Sequence, residues 1–252
     1  MAWLTALFAL TAALYASVGF GGGSTYTALL TLAGTDFRIL PAVSLICNVI
    51  VVSGGCYRFI RAGEVNWRRV LPLVAVSAPL AWLGGLTPIA EPAFRLMLGL
   101  SLSAAGLLLL FQRESVREGV GVRTSASSFD VVAGAGAGYL AGLVGIGGGI
   151  FLAPVLHLTR WGMPRSIAAT AAVFILTNSI AGLIGQGMKL SASGGGIGQV
   201  TAYWPLMLAV LAGGQLGSFA AIRLLSQSLV RRATAILVLY VAGQLLWRIV
   251  AG

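Results

Sequence analysis

Two glycine runs hold the chemistry this sequence can offer. Gly145-Ile146-Gly147-Gly148-Gly149 lies inside the apolar stretch 131–158, and Gly19-Phe20-Gly21-Gly22-Gly23 lies 126 residues earlier, inside 3–33. Each glycine costs a helix about 1 kcal/mol against alanine, so neither run holds an ordinary helix. Where a helix restarts after such a break, its first N–H groups are unbonded and its dipole end is positive, which makes an anion site. Amides at Gly21, Gly22 and Gly23 and at Gly147, Gly148 and Gly149 are therefore expected to bind an anion. Ser24, Thr25 and, more weakly, Tyr26 follow the first run, whereas Ile150 and Phe151 follow the second. Hydroxyl contacts are expected mainly from the first.

The segment after each run adds polar groups at helical spacing. Ser44, Asn48 and Val52 share one face, as do Thr170, Phe174 and Asn178. Asn48 and Asn178 are the costliest polar groups in their segments. Each alone is read as a helix–helix hydrogen bond; their recurrence after each glycine run puts ligand binding on an equal footing with that reading. Thr177 and Gln186 are weaker candidates, and Gln215 and Gln244 read as packing residues. Arg38 and Arg165 follow the two runs and either draw anions by their field or snorkel to the surface.

Other chemistries find no support. No nucleophile–base pair or paired carboxylates are visible, and the glycine runs lack the Lys-Ser/Thr of a phosphate loop. The protein is not expected to be an enzyme. Cys47 and Cys56 have no metal or disulfide spacing and read as small apolar residues. His157 is the only histidine, so neither a metal nor a cofactor is expected. All six carboxylates lie at segment ends or in connections. None sits mid-span, where ion-driven carriers usually need one, which favours movement down a gradient.

The elements that must position these residues are apolar. Only 9% of the 252 residues are charged and 58% are hydrophobic, against roughly 25% charged in a soluble domain. The chain therefore reads as an all-α polytopic membrane protein. The net charge of +10 lies in connections between apolar runs, the positive-inside pattern rather than a nucleic-acid surface. Residues 2–17 lack a basic leader and read as mature transmembrane sequence. Trp3, Trp67, Trp161, Trp204 and Trp247 stand near segment ends and read as interface anchors; Trp82 is deeper.

Eight apolar segments divide around a polar linker: a first repeat at 1–112, a linker at 113–128 and a second repeat at 129–252. The halves correspond. Pro41-Ala42-Val43-Ser44 matches Ile167-Ala168-Ala169-Thr170, Pro72 matches Pro205, Gly84 matches Gly217 and Gly106 matches Gly243. The spacing grows through an insertion at 187–198 that reads as a flexible loop. If each segment crossed once, the basic residues would divide almost evenly between the two faces. If each glycine-broken segment is a re-entrant hairpin, one face holds Arg58, Arg61, Arg68, Arg69, Arg113, Arg117, Arg123, Arg160, Arg165, Arg223, Arg231 and Arg232. The other holds Arg38, Arg95, Lys189 and Arg248. Twelve against four is a clear cytoplasmic signal. Each repeat is then one hairpin plus three crossings, the second repeat is inverted, and the glycine tips approach near the midplane. Both termini are expected in the periplasm. Labelling at Ser125, predicted cytoplasmic, and Ser193, predicted external, would test this.

The run from Gly142 to Pro154, then Gly162-Met163-Pro164-Arg165 and Ile167 to Thr170, resembles the repeated signature of the sulfite exporter TauE/SafE family. A worn copy stands in the first half at Gly19 to Gly23 with Pro41 to Ser44. The resemblance covers essentially the whole chain. It implies an anion transporter of the bacterial inner membrane, for sulfite, sulfonates, sulfoacetate or taurine-type compounds. Phe20 and Ser24-Thr25-Tyr26 depart from the family pattern and imply a more polar pocket. The expected partners are a small anion and the lipid bilayer, with self-association as a homodimer left open. A passive anion channel and a non-transporting assembly subunit stand as alternatives.

Overall fold

The computed structural model describes residues 2–18, 21–111, 127–159, 161–192, 196–219 and 227–250. Every regular element among them is a helix: α1 (Ala2–Val18), α2 (Gly23–Leu32), α3 (Leu40–Arg61), α4 (Trp67–Leu86), α5 (Glu91–Phe111), α6 (Ser128–Val144), α7 (Gly149–Leu158), α8 (Pro164–Ala192), α9 (Gly196–Thr201), α10 (Trp204–Phe219) and α11 (Gln227–Val250). The starts and stops follow local chemistry. Pro41 stands in the first turn of α3, where its missing N–H costs nothing. Ser127 and Asp130 form a capping box: the Ser127 hydroxyl accepts from Asp130 N and the Asp130 carboxylate accepts from Ser127 N. The α6 helix stops at Gly145, whose φ of +81° is open to glycine at no steric cost.

Helices α3, α4, α5 and residues 165–192 of α8 are each long and apolar enough to cross a membrane. The 22 residues of α3 span about 33 Å at the helical rise. The chain is an all-α polytopic membrane protein. Its glycine-broken segments are indeed broken: α1 and α2 are separate helices, as are α6 and α7.

Corresponding elements pack reciprocally. The α1 helix packs on α10, and α6 packs on α4; α3 packs on α8, and α5 on α11. Gly217 of α10 lies against the carbonyl of Ala13 in α1, and Gly84 of α4 against the carbonyl of Tyr139 in α6. Those pairs are separated by the same 133 and 126 residues that relate the halves in sequence. In lipid, where helices gain nothing by hiding apolar surface from one another, such close backbone approach is what holds them together.

Contacts between connections fix which helix ends lie together. Glu64, between α3 and α4, pairs with Arg165 at the start of α8 (Oε1 to Nε, 2.9 Å). Arg69 donates to the Trp161 carbonyl from beneath that ring. At the other end, Lys189 Nζ donates to Thr87 O at 3.4 Å, and Tyr203 Oη donates to Thr35 Oγ1 at 3.4 Å. If every apolar segment crossed once, each of these pairs would straddle the bilayer.

Two readings need correction. Trp161 is fully buried rather than an interface anchor. It is clamped between the Arg69 guanidinium, 3.9 Å from its ring, and Thr170, to which its indole N–H donates at 3.2 Å. Trp3, Trp67, Trp204 and Trp247 are exposed. The insertion read as a loop is largely helical, because α8 runs on to Ala192 and α9 follows from Gly196. Ser193 and Ser125, with nearly all of the linker, lie outside the described residues.

Candidate functional site

The two breaks meet side by side around one buried amide. Asn48 of α3 is fully buried. A Cβ built on Gly21 would lie 2.8 Å from its Oδ1, and one on Gly147 would lie 2.6 Å from its Nδ2. Gly23 is closer still, against both Asn48 and the carbonyl of Ile146. Only glycine lets the two backbones approach this closely. Asn48 Nδ2 donates to Ile146 O at 3.4 Å, and Ser44 Oγ donates to Gly145 O at 2.8 Å. Thr27 Oγ1 lies 3.0 Å from Ser44 Oγ and donates to Gly23 O at 2.7 Å. First-half hydroxyls and an amide thus hold the carbonyls of the second break.

The two broken segments overlap along α3. Helix α1 reaches the level of Arg58, near the end of α3, where Arg58 Nη2 donates to Ala16 O at 3.1 Å. Helix α6 reaches the opposite end, where Gly145 abuts Pro41. Each chain then doubles back: Gly22 lies beside Thr11 of α1, and Gly148 beside Ala137 and Ala141 of α6. The returning segments pass one another at the middle of α3.

The N-terminal turns of α2 and α7 lack side-chain caps: Gly22 and Gly148 occupy the cap positions and neither α-helix has a side-chain cap bond. Their surroundings are crowded. Gly23 faces the Ile146 carbonyl, and Gly149 faces the side chain of Ile175 in α8. Ile175 also lies against Gly21 and Gly147. One isoleucine therefore packs on both breaks.

The remaining predicted residues separate. Ser24, Thr25 and Tyr26 are buried, but Thr25 faces Tyr15, whose hydroxyl lies 3.2 Å away and itself donates to Thr234 of α11. Tyr26 stacks on Phe8 at 4.7 Å. Thr170 serves Trp161 and donates to Ser166 O, away from the breaks. Thr177 bonds its own helix at Val173 O. Gln186 Nε2 donates to Gly142 O at 2.8 Å and so caps the end of α6. It holds the end of α6 as Arg58 holds the end of α1, though the two residues do not correspond in register. Arg38 is exposed and stacks over its neighbour Phe37. Arg165 is held by Glu64.

Asn178 is fully buried, and neither of its amide atoms has a hydrogen-bond partner. Asn48 Oδ1, Ser179 Oγ and Ser77 Oγ share that condition. Ser179 lies at Gly147, 3.3 Å from a Cβ built there. Native proteins leave few such atoms unsatisfied. Sequence reasoning singled out the two asparagines but missed Ser77, Ser179, Thr27 and Ile175. A lone hydroxyl in an apolar helix ordinarily bonds the carbonyl four residues back, as Ser53, Thr31 and Thr87 do. Nothing in sequence marks the ones that do not.

Comparison with known proteins gives one consistent answer. Residues 4–245 match the family model described as sulfite exporter TauE/SafE. The probable membrane transporter protein y4hK of Sinorhizobium fredii is 33% identical over 248 residues, covering 97% of both chains. The probable membrane transporter protein MJ0441 of Methanocaldococcus jannaschii is 25% identical over 175 residues, covering 66% of this chain and 64% of its own. No solved structure matches. This helical membrane protein, with two glycine breaks converging on a buried asparagine and a match that spans nearly its whole length, belongs to the sulfite exporter TauE/SafE family of membrane transporters.

Proposed function

We propose that this chain carries small sulfur oxyanions or organosulfonates across the bacterial inner membrane, holding the anion where the two broken segments pass Asn48. The observation that carries this reading is the convergence of both glycine breaks on one buried amide, with unpartnered polar atoms beside it. Amides at the starts of α2 and α7 supply the positive dipole ends such a ligand needs. Ile175 closes both breaks, so the ligand enters by displacing it and binding alternates with rearrangement of the breaks. Each broken segment enters and leaves on one face. The end carrying Arg58, Arg61, Arg68, Arg69 and Arg165 is cytoplasmic. The end carrying Arg38 and Lys189 is periplasmic, with both termini.

A panel of sulfite, thiosulfate, sulfoacetate, taurine, sulfate and simple carboxylates tests the substrate class. A sulfur anion at a hundredfold its dissociation constant should stabilise the purified protein by about 2.7 kcal/mol, read as a rise in unfolding temperature. Failure of every sulfur anion to shift it would reject the reading. Flux into liposomes separates carrier from channel: saturable flux fits a carrier, and conductance-level current does not.

A further inference from the structure

Helices α4, α6 and α8 meet in a ladder. On one rung, Leu73 and Phe174 lie 3.4 and 3.6 Å from a Cβ built on Gly134. Two turns along, Gly142 lies against Ala81, and Gly182 against Gly142. The rung between contains Gly138, whose added Cβ would lie 2.8 Å from Ser77 Cβ. Register places Asn178 there too, one turn from both Phe174 and Gly182. Ser77 and Asn178 are fully buried, and Ser77 Oγ, Asn178 Nδ2 and Asn178 Oδ1 all lack partners. Since both amide atoms are unpartnered, turning the amide over changes nothing. Ser179, the next residue of α8, is equally buried and unpartnered and faces Gly147 of the second break.

The corresponding rung, between α10, α1 and α3, is apolar. The positions corresponding to Ser77, Gly138 and Asn178 are Val210, Ala12 and Val52, all buried and apolar. Ser53, which corresponds to Ser179, is exposed and donates to Val49 O. The unpartnered rung is therefore formed between α4 of the first half and α6 and α8 of the second, and the corresponding positions of α10, α1 and α3 do not repeat it.

We propose that Ser77, Asn178 and Ser179 bind the part of the ligand that carries a hydrogen-bond donor, and so select singly charged sulfur oxyanions that keep one: hydrogen sulfite, or a sulfonate bearing a hydroxyl. This rests on the anion-carrier reading. Asn178 presents a donor and an acceptor whichever way it turns, and Asn48 leaves a second amide oxygen unfilled. A fully ionised dianion offers acceptors only, so both oxygens would stay orphaned and face its charge. The cost of moving an ion from water into a protein interior rises with the square of its charge. Among the described residues, every arginine and lysine stands in a connection or near an end of its helix, and none stands beside this rung. A singly charged ligand with a donor hydrogen satisfies both conditions.

The test compares 2-hydroxyethanesulfonate with ethanesulfonate, which differ by one hydroxyl, as competitors of sulfite flux in proteoliposomes. The wild-type protein should prefer the hydroxylated compound by about tenfold, the equivalent of one buried hydrogen bond. Asn178→Leu and the milder Ser77→Ala should both reduce that preference toward unity, while Ser53→Ala, at the exposed position corresponding to Ser179, should keep both sulfite flux and the preference. Sulfate at equal concentration should compete poorly. A preference that is absent in the wild type, or that survives both Asn178→Leu and Ser77→Ala, overturns the assignment and leaves the carrier reading standing. Failure of the wild type to move sulfite and to bind either sulfonate overturns both.

Discussion

At the scale of single residues, glycine here sets distances between backbones. Gly142 lies against the Ala81 carbonyl, and Gly182 in turn lies against Gly142, so a methyl group at Gly142 has nowhere to go. Gly142→Ala should destabilise the purified protein by about 1–3 kcal/mol through overpacking. Gly54, mid-helix in α3 and with nothing within 4 Å of an added Cβ, gives the control. Gly54→Ala should stabilise by about 0.5–1 kcal/mol, the helix-propensity gain. Thermal unfolding of the two variants in detergent checks the contrast; equal and small effects would show that the close approach at Gly142 is not structural. Gly142, like the breaks, was visible as a glycine in an apolar run, but its contact with α4 was not. Asn48 was legible because an amide in the middle of an apolar helix is costly and calls for a reason. Ser77 and Ser179 were not, because an intrahelical bond would have satisfied each of them without any tertiary partner.

At the scale of elements, the structure depends on which connections share an end. The sequence pointed to this through the division of charge and through the length of the glycine-broken segments, which exceeds the roughly 20 residues of one crossing. The pairing of Glu64 with Arg165 is itself worth little, because exposed ion pairs contribute about 0–1 kcal/mol. Its value is as a position marker. Cysteines replacing Glu64 and Arg165 should be joined efficiently by a short bifunctional thiol reagent, since Cys47 and Cys56 are buried. Absence of the cross-link, with each cysteine singly reactive, would contradict the shared end. Trp161 shows why element-level reading failed in one place. A tryptophan near the end of an apolar run looks like a headgroup anchor. Its burial depends on Arg69 of α4, 92 residues away in sequence, covering the ring.

At the scale of the whole molecule, the two halves pack reciprocally, α1 on α10 and α6 on α4, and they differ at corresponding positions where the ligand is proposed to lie. The correspondence of the halves rests on matched glycines and prolines in the sequence. The difference between them could not be read there, because it lies in which hydroxyls and amides go unpaired once the halves have packed. In the proposed orientation, Asp36→Cys should react with an impermeant thiol reagent from the periplasm and Arg61→Cys from the cytoplasm. Reaction of both from one side would invert or break the two-faced arrangement. The central claim is that an anion binds where both breaks meet Asn48. Uptake of labelled sulfite into proteoliposomes, comparing the wild-type protein with Asn48→Leu, tests it most directly. Saturable uptake is expected from the wild type, with a loss of about tenfold or more in the variant, whose amide at the junction is gone. Wild-type rates from an equally well-folded Asn48→Leu protein would contradict it.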